Sequence, residues 1–235
     1  PIHSSAASDV YKRQVKSGPS GAPTRGKTEA LPTGKNFFSV DSRGLPTESA
    51  WIVGRNSASQ ILDLYKQENG EDLENIAISV WATSTMRNGG EDICQILYLL
   101  GVQPIWDGPS RRVIDLEIIP LSILDRPRVD VTLRISGMFR DAFPQLVKLT
   151  SKAINLVSNL NEDDIFNPLA KALKEGDPIN RIFGSAPGSY GAGLQELISN
   201  SNWENIDDFG ESFVNWSKWI YSDNLEPIEL SLIHI

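Results

Sequence analysis

The stretch Arg128–Ser136, RVDVTLRIS, decides the fold. Val129, Val131, Leu133 and Ile135 alternate with polar neighbours, the period-two pattern of a β-strand. Upstream, Asn75–Trp81, NIAISVW, is a short β-rich apolar run of the kind buried in a parallel sheet. Between them, Glu91–Gly101, EDICQILYLLG, has acids at its start, an apolar body and a terminal glycine, which predicts a helix. VQPIWD reads as a second short strand, and Leu116–Leu124, LEIIPLSIL, as a further extended segment. RVDVTLRIS ends in GMFRDAFP and feeds a long helix from Gln145 to about Leu160. Before all of these, Thr47 is a fitting N-cap for a helix with Glu48 at its positive end. Trp51, Ile52, Ala58, Ile61, Leu62 and Tyr65 give that helix an apolar stripe, and Asn69-Gly70 stops it. Strand, loop and helix in repetition predict the α/β class: a mostly parallel sheet flanked by helices, followed by a smaller mainly helical segment.

Residues 46–160 therefore form the α/β part and residues 161–229 the mainly helical part. Residues 15–45 are rich in Gly, Pro, Ser and Thr without a period, and read as an extended linker. The ends, PIHSSAASDVYKRQ at 1–14 and LSLIHI at 230–235, resemble translated sequencing-adapter sequence and are set aside as non-native. Both histidines, His3 and His234, fall in those ends, so neither a histidine-ligated zinc nor a Ser-His-Asp relay is expected. Within the linker, Gly21–Thr28, GAPTRGKT, matches the pattern of a phosphate-binding loop. No apolar strand feeds it and Pro32 follows closely, so the strand and helix that a nucleotide site needs are missing.

The 235-residue chain carries a formal net charge of −8, which argues against nucleic acid as a partner, since phosphate neutralisation needs a basic face. No apolar run approaches the length of a membrane span, and no membrane is expected. The single cysteine, Cys94, lies in an apolar stretch as a small buried hydrophobe, consistent with a reducing, cytoplasmic setting.

In parallel sheets ligands bind outside the C-terminal strand ends, which directs attention to two loops, Ala82–Gly90 and Gly137–Pro144. The first carries Arg87, Asn88, Gly89 and Gly90 ahead of a helix N-terminus, a set that can clamp a carboxylate, or simply a turn. The second places Arg140 beside Asp141, and Arg134 lies on the strand before it. Asp141 or Asp107 can accept protons from ring nitrogens or pass a divalent cation. The plainer alternative is a local Arg140–Asp141 ion pair. A third stretch, RIFGSAPGSYGAGLQ, contains Tyr190 among small residues and reads as a lid over a flat ligand or as an Ω-loop. Trp203, Trp216 and Trp219 can stack on a macrocycle, although helical spacing of the last two suits a core.

LPTGKNFFSVDSRGLPTESAW, SVWATSTMRNGGEDICQILYLLGVQPIWD, RPRVDVTLRISGMFRDAFP and RIFGSAPGSYGAGLQ together resemble the large subunit of aerobic-type (CobN-type) cobaltochelatase, within the wider family of cobaltochelatase and magnesium chelatase large subunits. The blocks run from residue 31 to about 221 in the family's order and make up only a minor portion of a full family chain. The resemblance implies a metal chelatase that inserts Co²⁺, its substrate metal, into the corrinoid precursor hydrogenobyrinic acid a,c-diamide. It implies ATP hydrolysis by separate AAA+ partner subunits and none by this chain. Arg87, Arg134 and Arg140, with Asn88, Gly89, Gly90 and Tyr190, would then bind the acidic ring, and Asp141 and Asp107 would serve the proton chemistry; no metal ligand is assigned. Ala82 stands where the family usually has glycine, and Met138 where an aromatic is usual. Two other readings are the large, porphyrin-binding component of a magnesium chelatase, acting on protoporphyrin, and a non-catalytic module that binds a tetrapyrrole or contacts partner subunits.

Overall fold

The computed structural model describes residues 31–32, 42–224 and 226–230. The Gly21–Thr28 stretch, both histidines, residues 1–14 and residues 231–235 lie outside them.

Thr47 caps the first helix, α1 (Glu48–Asn69), by accepting a hydrogen bond from the Ala50 amide, and Gly70 ends it in the left-handed conformation. Most of the predicted stripe lies on the packed side, with Ala58 buried and Trp51, Ile61, Leu62 and Tyr65 half-buried, but its tightest contacts come from small residues. Ala50, Gly54 and Ala58, spaced four apart, turn inward while Ile52 remains 57% exposed. Close helix approach is the reason: a Cβ at Gly54 would lie 2.6 Å from the Cβ of Cys94. That cysteine belongs to α3 (Glu91–Leu100), whose Ile93, Ile96, Leu97, Leu99 and Leu100 are all buried at the centre of the molecule.

Strand β1 (Asn75–Val80) pairs in parallel with β4 (Asp130–Ile135), which pairs in parallel with β5 (Ile182–Gly184). The antiparallel strands β6 (Trp219–Ile220) and β7 (Ile228–Glu229) complete a five-stranded sheet in the order β1-β4-β5-β6-β7. The mostly parallel α/β class stands. Its third parallel strand comes from residues 161–229, where helices α7 (Pro168–Glu175), α8 (Gln195–Asn200) and α9 (Asp207–Trp216) also lie. VQPIWD does form a strand, β2 (Val102–Trp106), but it pairs antiparallel with β3 (Val113–Ile118) in a separate two-stranded sheet. The extended reading of Leu116–Leu124 fails beyond Ile118. Pro120 cannot donate to a ladder, and the chain turns instead into one helical turn, α4 (Leu121–Leu124).

Both segments read as loops at the strand tips are short helices, α2 (Ala82–Asn88) and α5 (Gly137–Ala142). Ser136 starts α5 by accepting from the Phe139 amide. The long helix α6 follows at once over Pro144–Ser158, with Pro144 in its first turn, where a missing N–H does no harm. The core is locked from below by Arg128, which is fully buried. Its guanidinium donates to the Leu100 and Gly101 carbonyls at the end of α3, to the Ile119 carbonyl, and through Nε and Nη2 to Glu162 at 2.8 and 2.9 Å.

Candidate functional site

The C-terminal tips of β1, β4 and β5 meet at Trp81, Ser136 and Ser185. Ser79, Arg134 and Phe183 are register partners across the three strands. Side chains alternate along a strand, and Trp81 keeps extended backbone (φ −116°, ψ 133°), so its indole emerges on the same face as Arg134. The Arg134 guanidinium lies 5.6 Å from the Trp81 ring centroid and 5.1 Å from that of Phe213 on α9. Its Nη2 donates to the Gly191 carbonyl at 2.8 Å and its Nε to Ser217 Oγ at 3.3 Å. Arg134 is only 8% exposed, yet no carboxylate pairs with it among the described residues, and burial lowers its pKa from the ordinary guanidinium value.

Arg140 is built differently. It is 9% exposed and bidentate with Asp141, at 2.6 and 2.9 Å, and its Nη1 donates to the Ser185 and Ala186 carbonyls. Tyr221 also donates to Ser185, and Tyr190 donates to Asp141 Oδ2 at 2.8 Å. This network straps residues 185–191 across the start of α5. Gly137 makes room for the strap, because a Cβ there would lie 2.3 Å from the Ser189 carbonyl oxygen.

The expected trio of ring-gripping arginines is therefore not preassembled. Arg140 is committed to its ion pair and to loop carbonyls. Arg87, in the last turn of α2, is exposed and has no hydrogen bond or ion pair among the described residues. Of these three, Arg134 is the one that combines burial with the lack of a carboxylate partner among the described residues. Asn88, Gly89 and Gly90 form a structural joint instead of an open cradle. Asn88 Oδ1 accepts from the Gly90 and Glu91 amides, Gly89 donates to Thr85, and both glycines are buried against Pro46 and Thr47. The predicted acceptors fare similarly. The hydrogen bonds from Arg140, reinforced by Tyr190, hold the Asp141 carboxyl below the usual carboxylate range, which makes it a poor proton acceptor. Asp107 sits in the β2–β3 turn, where its carboxylate accepts from the Ser110 amide, and no contact joins it to the strand-tip cluster. Trp216 packs on Gly193 and Trp219 lies in β6, so neither is a free stacking surface, whereas Trp203 is half exposed beside Phe209. Tyr190 is exposed beside Asp141, to which its hydroxyl donates. Trp81, Phe213, Ser217 and Tyr221 were not predicted; only Trp81 carried a signal, one alternation step past Ser79.

Among the described residues no group of three His, Cys, Asp or Glu side chains could hold a metal ion, and no helix is long and apolar enough to cross a membrane. What the cluster can do is hold an anionic group against a buried guanidinium beside aromatic faces.

The sequence profile of the CobN/magnesium chelatase family matches residues 12–230. The chain belongs to that family. Within it, the aerobic cobaltochelatase subunit CobN of Pseudomonas aeruginosa is 48% identical over 225 residues, 89% of this chain and 18% of its own length. The corresponding magnesium-chelatase protein of Chlorobaculum parvum is 32% identical over 216 residues, 88% of the chain and 17% of its own. The catalytic subunit of cobaltochelatase from Mycobacterium tuberculosis superposes with a TM-score of 0.79 at 43% identity, over 92% of this chain and 19% of that one. The chain thus spans about a fifth of the length of these family members, and the cobalt-type members compared are more similar to it than the magnesium-type one.

Proposed function

We propose that this chain is part of the tetrapyrrole-binding subunit of a cytoplasmic, ATP-dependent cobaltochelatase. Its reaction is insertion of Co²⁺ into hydrogenobyrinic acid a,c-diamide during cobalamin biosynthesis, with ATP hydrolysed by separate AAA+ subunits. The observation that carries this reading is Arg134: a guanidinium 8% exposed, without a carboxylate partner among the described residues, at the tips of three parallel strands. Burying an unpaired charge costs several kcal/mol, so such a group persists where a ligand completes it. A corrinoid precursor offers peripheral carboxylates around a conjugated ring, which matches one buried cation bordered by Trp81 and Phe213. The binding of the ring, more than the transfer of its protons, is the part that these residues can perform. The strap-bound Arg140–Asp141 pair shapes the rim, and Arg87 is free to swing towards a second carboxylate.

Titration of the chain with hydrogenobyrinic acid a,c-diamide, followed by quenching of tryptophan emission, tests the reading. Saturable binding is expected, with Arg134→Gln weakening it on the order of tenfold or more, as for loss of one charge-assisted contact. Tighter binding of protoporphyrin than of the corrinoid would instead favour the magnesium branch. Cobalt insertion by the full-length protein with its AAA+ partners and ATP separates an enzyme from a module that only binds the ring.

A further inference from the structure

Around Arg134 each of the three parallel strands is followed by one exposed large side chain: Trp81 after β1 (46% exposed), Met138 after β4 (44%) and Tyr190 after β5 (60%). They form one patch. Helices α2 and α5 pack on each other, the Tyr190 ring lies against Gly137, and Arg134 touches both Trp81 and Gly191. The three members are not equivalent. Tyr190 is tethered by its hydroxyl to Asp141 and by its ring to Arg140, 5.8 Å away. Met138 is flexible and lacks a planar face. Trp81 has its inner face on the Arg134 guanidinium, and its indole N–H makes no hydrogen bond among the described residues. Two other tryptophans are held within the fold: Trp106 donates to the Pro46 carbonyl, and Trp51 packs edge-on against Tyr98 and Trp106.

We infer that Trp81 is the ring-positioning residue of this site, its outer indole face stacking on the plane of a flat conjugated macrocycle whose peripheral carboxylate reaches Arg134. The inference rests on the tetrapyrrole reading given above and adds to it a residue and a geometry. Two features favour it physically. The cation behind the indole fixes the ring before the ligand arrives, so little side-chain entropy is lost on stacking. The same arginine then serves two ends, holding the indole with its face and the ligand's anionic edge with its remaining donor, since Nη1 makes no hydrogen bond among the described residues. An acidic ligand without a ring would use only the second interaction. Charge and stacking can therefore be separated experimentally.

The chain contains six tryptophans, so 5-fluorotryptophan labelling gives six ¹⁹F resonances, and the Trp81 signal is assigned by its loss in Trp81→Phe. Two probes are titrated: hydrogenobyrinic acid a,c-diamide, and tricarballylate, a polycarboxylate with no ring. The corrinoid is expected to move the Trp81 resonance by ring-current shift, and tricarballylate is not. Trp81→Ala is expected to weaken corrinoid binding on the order of tenfold, the range found for loss of one aromatic stacking partner. Trp81→Phe should restore most of that affinity, and tricarballylate binding should be unchanged in both variants. Equal corrinoid affinity in wild type and Trp81→Ala, or a shift confined to other tryptophans, overturns the inference while leaving the tetrapyrrole reading in place. Absence of saturable corrinoid binding to the wild-type chain overturns that reading and this one with it. A loss in Trp81→Ala that Trp81→Phe does not restore assigns the effect to local packing and equally overturns a stacking role.

Discussion

The buried arginines divide by what stands opposite them. Arg128 and Arg140 each face a carboxylate, Glu162 and Asp141, and each also donates to backbone carbonyls that would otherwise be buried or uncapped. They are structural. Arg134 donates only to a hydroxyl and one carbonyl, which leaves its charge for a ligand. The local sequence shows only part of this difference: Asp141 adjoins Arg140, whereas the partner of Arg128 lies 34 residues away and only the fold reveals that no acid among the described residues reaches Arg134. Sequence spacing does place Arg134 and Arg140 at a strand tip, and it leaves the Arg140–Asp141 ion pair open as an alternative, which is the arrangement found. Arg128→Met sharpens the distinction. It leaves Glu162 without its partner and removes the donors from the Leu100, Gly101 and Ile119 carbonyls, so the cost expected is about 3–5 kcal/mol, as for breaking a buried pair from one side. Urea unfolding midpoints, compared at an unchanged slope, measure it.

At the scale of elements, what is legible is what carries a long periodic signal. β4, β1 and α3 follow from alternation, from an apolar run and from acids leading to a terminal glycine. α2 and α5 escape because helices of seven and six residues carry too few turns for a period and owe their order to packing at the strand tips. The Asn88-Gly89-Gly90 turn is visible, but it reads as a loop from sequence when it is in fact the joint that ends α2 and begins α3. β2 is legible, and the Asp107-Gly108-Pro109 turn after it is a hairpin signal, but Val113–Ile118 lacks the clean alternation that would mark it as the antiparallel partner. The stripe of α1 finds the packed side at Ala58, Ile61, Leu62 and Tyr65 but omits Ala50 and Gly54, because hydrophobicity favours large residues whereas the closest part of this interface is set by small ones. Gly54→Ala tests that point. The added methyl would stand 2.6 Å from both Cys94 Cβ and the Glu91 carbonyl oxygen, so α1 and α3 must separate. Despite alanine's better helix propensity, a loss of about 1–3 kcal/mol is expected, the cost of overpacking, and a thermal melt that rises would refute the close-contact account.

For the molecule as a whole, the carboxylates fall into two groups whose effects on stability oppose each other. Burial raises the Asp92 carboxyl above its ordinary value, with Asn88 pulling the other way, and raises Glu91 as well, aided by its charged neighbour Asp92. Such groups bind protons more readily in the folded chain, so stability increases as the pH falls from neutral towards their ordinary values of about 4. Arg140 lowers Asp141. Glu162 is pushed up by burial, yet Arg128 and Asn167 outweigh that and leave it lowered. Here the unfolded chain binds protons first, so the stability these pairs contribute is complete above about pH 4 and is lost as the pH drops through their depressed folded values. The expected profile of urea midpoints from about pH 7 to about pH 3 is a shallow rise followed by a fall. Asp141 is 44% exposed on its side chain, and solvent screening makes its part of the fall the smaller one. Asp92→Asn should flatten the rise without moving the fall, and Arg128→Met should weaken the fall without touching the rise. A midpoint that declines steadily from neutral pH in the wild type would mean that the half-buried carboxylates at the head of α3 find a compensating partner, and that the acid sensitivity of the chain is not governed by its arginine pairs.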